Sequence, residues 1–226
     1  MVKYLYLILF PVIIYIVIVL LNKLRQRTTN ELEKILFIQN NPELYLKLLK
    51  NPKLKLLYGK GTRLQFELNA YLLTGDDAKT ADTIEIMNTV PMTKGQSLEF
   101  HQKKLSYYCS LGKKKEAEAA LTKIESILAK VKGDHARFIL RESRMIFNIY
   151  IRHDTGLIAE LEEAQKNEQG FSRGLTLYRL AKLSFFAQND KKTQGYLLQA
   201  KELLANTAWM DIVESALKDT SILNYK

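Results

Sequence analysis

Cysteine occurs once in the 226 residues, at Cys109, histidine three times and proline four times. A single thiol excludes an intramolecular disulfide framework and fits a reducing compartment. Its setting, Tyr107-Tyr108-Cys109-Ser110, is an amphipathic helical stretch with no neighbouring Cys or His, so Cys109 is expected to pack rather than react. His101, His135 and His153 show neither an i, i+4 pair nor zinc-ligand spacing with the cysteine, and no metal or cofactor is expected. The segment from Tyr58 to Thr62, YGKGT, lacks the spacing of a phosphate loop and a preceding strand, and is expected to be a helix break. No grouping of acid, base and nucleophile emerges, so an enzyme is not expected. Period-two alternation is nearly absent after residue 21, which argues against a sheet.

What is present begins with an uncharged run, Tyr4 to Leu21. At 1.5 Å per residue, about 18 residues reach roughly 27 Å, close to a hydrocarbon core of about 30 Å. The run is longer than the apolar region of a cleavable signal peptide, and no small-residue cleavage pattern follows it, so residues 1–21 are expected to be an uncleaved transmembrane anchor. Pro11 is a candidate kink, and Tyr4 and Tyr6 suit the far interface. Lys3 stands before the run, whereas Lys23, Arg25, Arg27 and then Lys34 follow it. Positive residues stay on the cytoplasmic side, so the C-terminal part is expected in the cytoplasm. Richness in Lys and Ile suggests a bacterial plasma membrane.

Charge is concentrated just past the run. Between Asn22 and Lys60 there are nine Lys and Arg against three Glu, a net of +6 out of the chain's +10. Lys23, Arg25, Arg27, Lys50, Lys53 and Lys55 are therefore candidate membrane-surface residues, each able to contribute on the order of 1 kcal/mol near an anionic leaflet. Topology enforcement in a Lys-rich chain accounts for the same charges equally well. The basic residues carry no nucleic-acid recognition motif, so a nucleic-acid partner is not expected.

The rest is expected to be all-α. Apolar residues recur at spacings of three and four, broken by short Gly, Asp, Asn and Pro punctuation. The helix of the apolar run is expected to continue through Ile38. Asn41-Pro42 and Asn51-Pro52 each supply an N-cap acceptor and a first-turn proline, which predicts two short helices in a juxtamembrane connector, residues 22–60. From residue 61 the spacing predicts four pairs: 62–74 with 77–89, 97–111 with 114–131, 135–153 with 156–167, and 172–188 with 191–205. A last helix, 207–217, would cover the apolar end of the stack. Gly75, Gly112, Asp154 and Asp190 separate the partners at intervals of about 37, 42 and 36 residues, the range of helical-hairpin repeats.

The segment Tyr108 to Leu121, YCSLGKKKEAEAAL, resembles a tetratricopeptide repeat, with a large residue in helix A, a turn glycine, and Glu-Ala opening helix B. Registering the other pairs on that turn puts Leu68, Leu105, Phe147 and Leu183 where helix A packs on its partner, and Tyr71, Tyr108, Tyr150 and Phe186 at the large aromatic position. Ala117, Ala159 and Gly195 fall at the close helix crossing, while Thr80 departs from it. The family's early Trp and closing Pro are mostly missing, Pro91 being a near exception. The resemblance covers about 145 residues. It implies an α-solenoid over residues 61–226 that binds a protein partner in a concave groove.

Arg137, Arg141, Arg144, Asn148 and Arg152 follow one another at spacings of four, three, four and four, which places them on one side of a helix. Phe138, Met145, Ile146, Phe147, Ile149 and Tyr150 are left mainly for packing. In the register of the resemblance, Arg141, Arg144, Asn148 and Arg152 face the groove, and Asn69 occupies the position of Asn148 two units earlier. The guanidinium fork suits a carboxylate, which implies an acidic or C-terminal peptide segment. Gln65, Lys103 and Met145 depart from the family's carboxylate-clamping set. A solvated ridge and a headgroup contact are the other uses open to this face. Together these features predict a membrane-anchored adaptor or scaffold, with an anionic-lipid-binding module as the alternative.

Overall fold

A computed structural model describes the chain from Val2 to Asn224 apart from Ala208, and the side chains of these residues apart from 2–11 and 13. Every regular element among the described residues is helical. The α-helices are α1 (Val2–Glu33), α2 (Pro42–Leu49), α3 (Pro52–Leu57), α4 (Lys60–Thr74), α5 (Asp77–Asn88), α6 (Lys94–Ser110), α7 (Lys114–Leu128), α8 (Asp134–Phe147), α9 (Ile158–Ala164), α10 (Gly170–Phe186), α11 (Asp190–Leu203) and α12 (Met210–Lys218). The expected all-α class holds, and the expected helix boundaries from residue 61 onward are met to within a few residues. The chain divides into two compact units, residues 1–96 and 97–226.

The expected transmembrane anchor over 1–21 does not gain support from the described residues, among which no helix is long and apolar enough to cross a membrane. Half of the run lies in residues 2–11 and 13, whose side chains are outside the description. The remainder, Val12 and Ile14–Leu21, is less than half of the roughly 20 residues that a span requires.

In the first unit α1 ends in a π turn, Lys34–Ile38. Asn41 Oδ1 accepts from the Leu44 amide at 3.0 Å, and Asn51 Oδ1 from the Lys53 amide at 2.9 Å, with Pro42 and Pro52 opening their helices as their fixed φ allows. These short helices are not a loose linker. Leu32, Leu36, Tyr45, Leu49, Leu54, Tyr58 and Ala70 form one buried cluster that joins α1, α2, α3 and α4. Polar clips reinforce it. The Tyr58 hydroxyl donates to the Arg25 carbonyl at 2.7 Å and meets Thr29 Oγ1 at 2.9 Å, and Arg25 Nε donates to the Leu57 carbonyl at 2.9 Å.

In the second unit one cluster joins α6, α7 and α8 through Leu105, Cys109, Ala117, Ile124 and Phe147. A larger one joins the π turn Asn148–Arg152 and α9 to α12 through Ile149, Leu161, Tyr178, Leu183, Leu197 and Val213. Cys109 is buried, and burial pushes its thiol up to about 12, as a packing residue requires.

The repeat is most evident at its turns. Gly75, Gly112, His153 and Gln188 all adopt left-handed backbone, with φ of 67, 65, 51 and 56°. Asp76, Asp154 and Asn189, the residues that follow three of them, each accept a backbone amide from the next helical turn. Leu68, Leu105, Phe147 and Leu183 are buried, and Tyr71, Tyr108, Tyr150 and Phe186 are half-buried, as the register predicts. The small-residue position holds only in part. Ala117 is buried, but Ala159 is exposed and a side chain on Gly195 would meet open space. The close approach falls at Gly174 of α10 instead, where an added Cβ would stand 2.7 Å from Leu204 Cγ. At Ala159 the reason is local, since α9 starts late behind a 3-10 turn, Thr155–Leu157, and is too short to repeat the second helix of its neighbours.

Candidate functional site

The arginine ridge lies on α8, a strongly amphipathic helix whose buried side is Ala136, Ser143 and Phe147. Asp134 in its first turn complements the positive end of the helix macrodipole and pairs with Arg137. Arg144 Nε donates to Glu125 Oε1 of α7 at 2.8 Å. Arg141 is exposed and has no ion pair among the described residues. The α-helical spacing fails at the C-terminal end, because Asn148–Arg152 is a π turn whose extra residue per turn shifts the azimuth. Arg152 consequently reaches back, donating to Asn148 Oδ1 at 3.2 Å with its guanidinium 5.2 Å from the centre of the Phe147 ring. Three of the four arginines are thus engaged by groups of the chain itself.

Asn69 belongs to the other unit, where its side chain acts on the buried Tyr45 hydroxyl. Half-buried in α4, it has a structural task within the first unit. Phe138 departs from its expected packing role. It is 54% exposed, one residue after Arg137 and about one helical turn before Arg141. Nothing in the spacing separated it from its buried neighbours, because its place at the edge of the apolar stripe is decided by the width of the α7 contact.

The six membrane-surface candidates, Lys23, Arg25, Arg27, Lys50, Lys53 and Lys55, are all exposed. Arg25 is also the clip to the end of α3 described above. Lys50 and Arg63 act on Glu67, whose carboxyl is nevertheless held above the usual range by burial. Gly59 caps α4, so the glycine-rich segment is a helix break, and a shallow cleft of about 370 Å³ opens over it between Lys60, Gly61, Val90, Pro91 and Gln96.

The most unusual titratable group was not anticipated. Lys182 of α10 is 1% exposed, donates to the Leu223 carbonyl, and lies 5.0 Å from the Tyr150 ring and 5.7 Å from that of Phe186. Burial pulls its ammonium down to about 8. The run Leu180-Ala181-Lys182-Leu183 carried the hint, a lysine inside an apolar stretch. His101 is drawn down to about 4, chiefly by burial and further by Lys104 and Lys123. No group of three His, Cys, Asp or Glu among the described residues is placed to hold a metal ion. Comparison with protein-family models, curated proteins and solved structures finds no match.

Proposed function

We propose that this chain is a membrane-tethered helical adaptor, a degenerate tetratricopeptide-like array held at the cytoplasmic face of a bacterial plasma membrane by the run Tyr4 to Leu21. The observation that carries the adaptor reading is the outer face of α8. Phe138, more than half exposed, has the exposed Arg141, without an ion pair among the described residues, as its neighbour one turn on. An aromatic anchor beside a free guanidinium suits an acidic peptide segment that carries an apolar side chain. The tether supports this reading, because confinement to a surface raises the effective concentration of a weak binder.

A photocrosslinking side chain in place of Phe138, introduced into the full chain in intact cells, tests it. Crosslinking to one discrete protein through an acidic segment, reduced at least tenfold by Arg141→Glu, is the expected result. Crosslinks that are diffuse, or equally strong with Arg141→Glu, would remove the assignment. Arg141 is the better target than Arg144, since reversing Arg144 would set two carboxylates together at Glu125 and disturb the α7 contact. The second reading, an anionic-lipid module, is favoured by the uniform exposure of the six basic residues of the segment 22–60.

A further inference from the structure

Leu56 is 89% exposed, and it sits between Lys55 and the Leu57 carbonyl that Arg25 holds. Its neighbours in α3 and just past it do the opposite. Leu54 enters the core of the first unit, and Tyr58 enters the same core while its hydroxyl binds the Arg25 carbonyl and Thr29. The end of α3 is therefore fixed, on three hydrogen bonds, beside the turn of α1 that contains Arg25. Arg25 lies four residues past Leu21, about 6 Å along the helix axis. The apolar surface of α1 reaches this level too, since Leu20, Leu21 and Leu24 are all exposed. An isolated exposed leucine needs no explanation. One that is returned by a clipped helix to the foot of an apolar run, with exposed Lys53 and Lys55 beside it, has a place to go.

We propose that α3 is an interfacial foot: Leu56 enters the headgroup and acyl boundary of an anionic leaflet while Lys53 and Lys55 engage its phosphates. This rests on the reading of Tyr4 to Leu21 as a membrane tether. The arrangement matches the physical needs of that boundary, which takes an apolar side chain and keeps the ammonium groups of long side chains among the headgroups. Charge complementarity selects the anionic leaflet over a neutral one. Phe37 and Ile38, also exposed, do not belong to the foot, because they lie at the far end of α1, about 20 Å beyond Arg25. The consequence is orientational: a single helix alone leaves a domain free to swivel, whereas a second contact restrains its tilt.

The test uses the full chain in vesicles of phosphatidylcholine with phosphatidylglycerol, carrying one environment-sensitive fluorophore on a cysteine at Val17, Leu56 or Ile38. Cys109 is buried, and unaltered protein that takes up no label shows that it does not interfere. Lipids with a nitroxide high on the acyl chain should quench the labels at Val17 and Leu56, and aqueous iodide should quench the one at Ile38. Lys53→Glu with Lys55→Glu should lower lipid quenching at Leu56 at least twofold and leave Val17 unchanged. A Leu56 label open to iodide while Val17 is lipid-quenched overturns the foot and leaves the tether. A Val17 label that lipid does not quench overturns both. A Leu56 label shielded from iodide but not quenched by lipid means that protein covers it, a second copy in this preparation, and also overturns the foot.

Discussion

The two units hold themselves together differently. In residues 97–226 the cluster around α10 and α11 is almost wholly apolar and sealed, with Leu177, Leu180, Ala181, Leu183, Leu197 and Ala200 at 1% exposure or less. In residues 1–96 the cluster is smaller, includes two tyrosines, and relies on hydroxyls and a guanidinium that reach back to the chain. A long α10 paired along its length with α11 can bury a continuous stripe. Helices as short as α2 and α3 cannot, so their positions are specified by directional bonds. Depth of burial in one unit and hydrogen-bond geometry in the other do the same work.

Deleting side-chain volume tests this contrast most strongly. Leu183→Ala should cost about 3–5 kcal/mol, and Leu54→Ala, at 8% exposure on the shallower cluster, about 2 kcal/mol. Denaturant unfolding of the full chain in detergent, with hydrogen exchange resolved by segment, reads both. Equal losses would break the comparison.

The buried lysine sharpens it. The folded state holds the Lys182 ammonium at about 8, below its usual 10.5, so above pH 8 the unfolded chain binds more protons at this site. Stability from this group accordingly rises as pH goes from about 8 to 10.5, by roughly 3 kcal/mol in all, and is flat below 8. Lys182→Met should abolish that rise, measured as the denaturation midpoint against pH. A rise that persists in the variant would show that the charge is not what the apolar core is carrying.

Tyr58→Phe probes the clips of the first unit. Losing the hydroxyl between Arg25 and Thr29 should cost about 1 kcal/mol and speed amide exchange in α3 without affecting α10. The smallest effect is expected at the surface pair between Arg144 and Glu125. Arg144→Ala should change stability by less than about 0.5 kcal/mol, because Arg144 is exposed and Glu125 only half-buried, so water screens the pair.

The helices of the second unit were legible because their signals are local. The spacing of apolar residues, the short Gly, Asp and Asn punctuation, and the turn at Gly112 depend on neighbours within a few positions. The half-buried aromatic positions followed from registering the pairs on the turn of the tetratricopeptide resemblance. What was not legible concerned width and depth. Phe138 and Phe147 have similar sequence surroundings, yet one is exposed and the other buried. The close crossing moved from Gly195 to Gly174, a choice between two glycines on opposite helices of one pair. The arginine ridge was placed on a common face, but its partners, Asp134, Glu125 and Asn148, determine how much of its charge is left for a ligand.

By itself, then, the sequence determined the all-helical class, the positions of most helix ends from residue 61 onward, and the short helices that an asparagine caps and a proline opens. These rest on backbone hydrogen bonding and side-chain periodicity, which act over a turn or two of chain. Tertiary structure alone decided which apolar residues are covered, that Lys182 is buried against Tyr150 and the Leu223 carbonyl, and that α3 returns to Arg25 with Leu56 facing outward. Those outcomes depend on residues about 30 to 40 positions apart meeting in space, and no short-range pattern encodes such meetings.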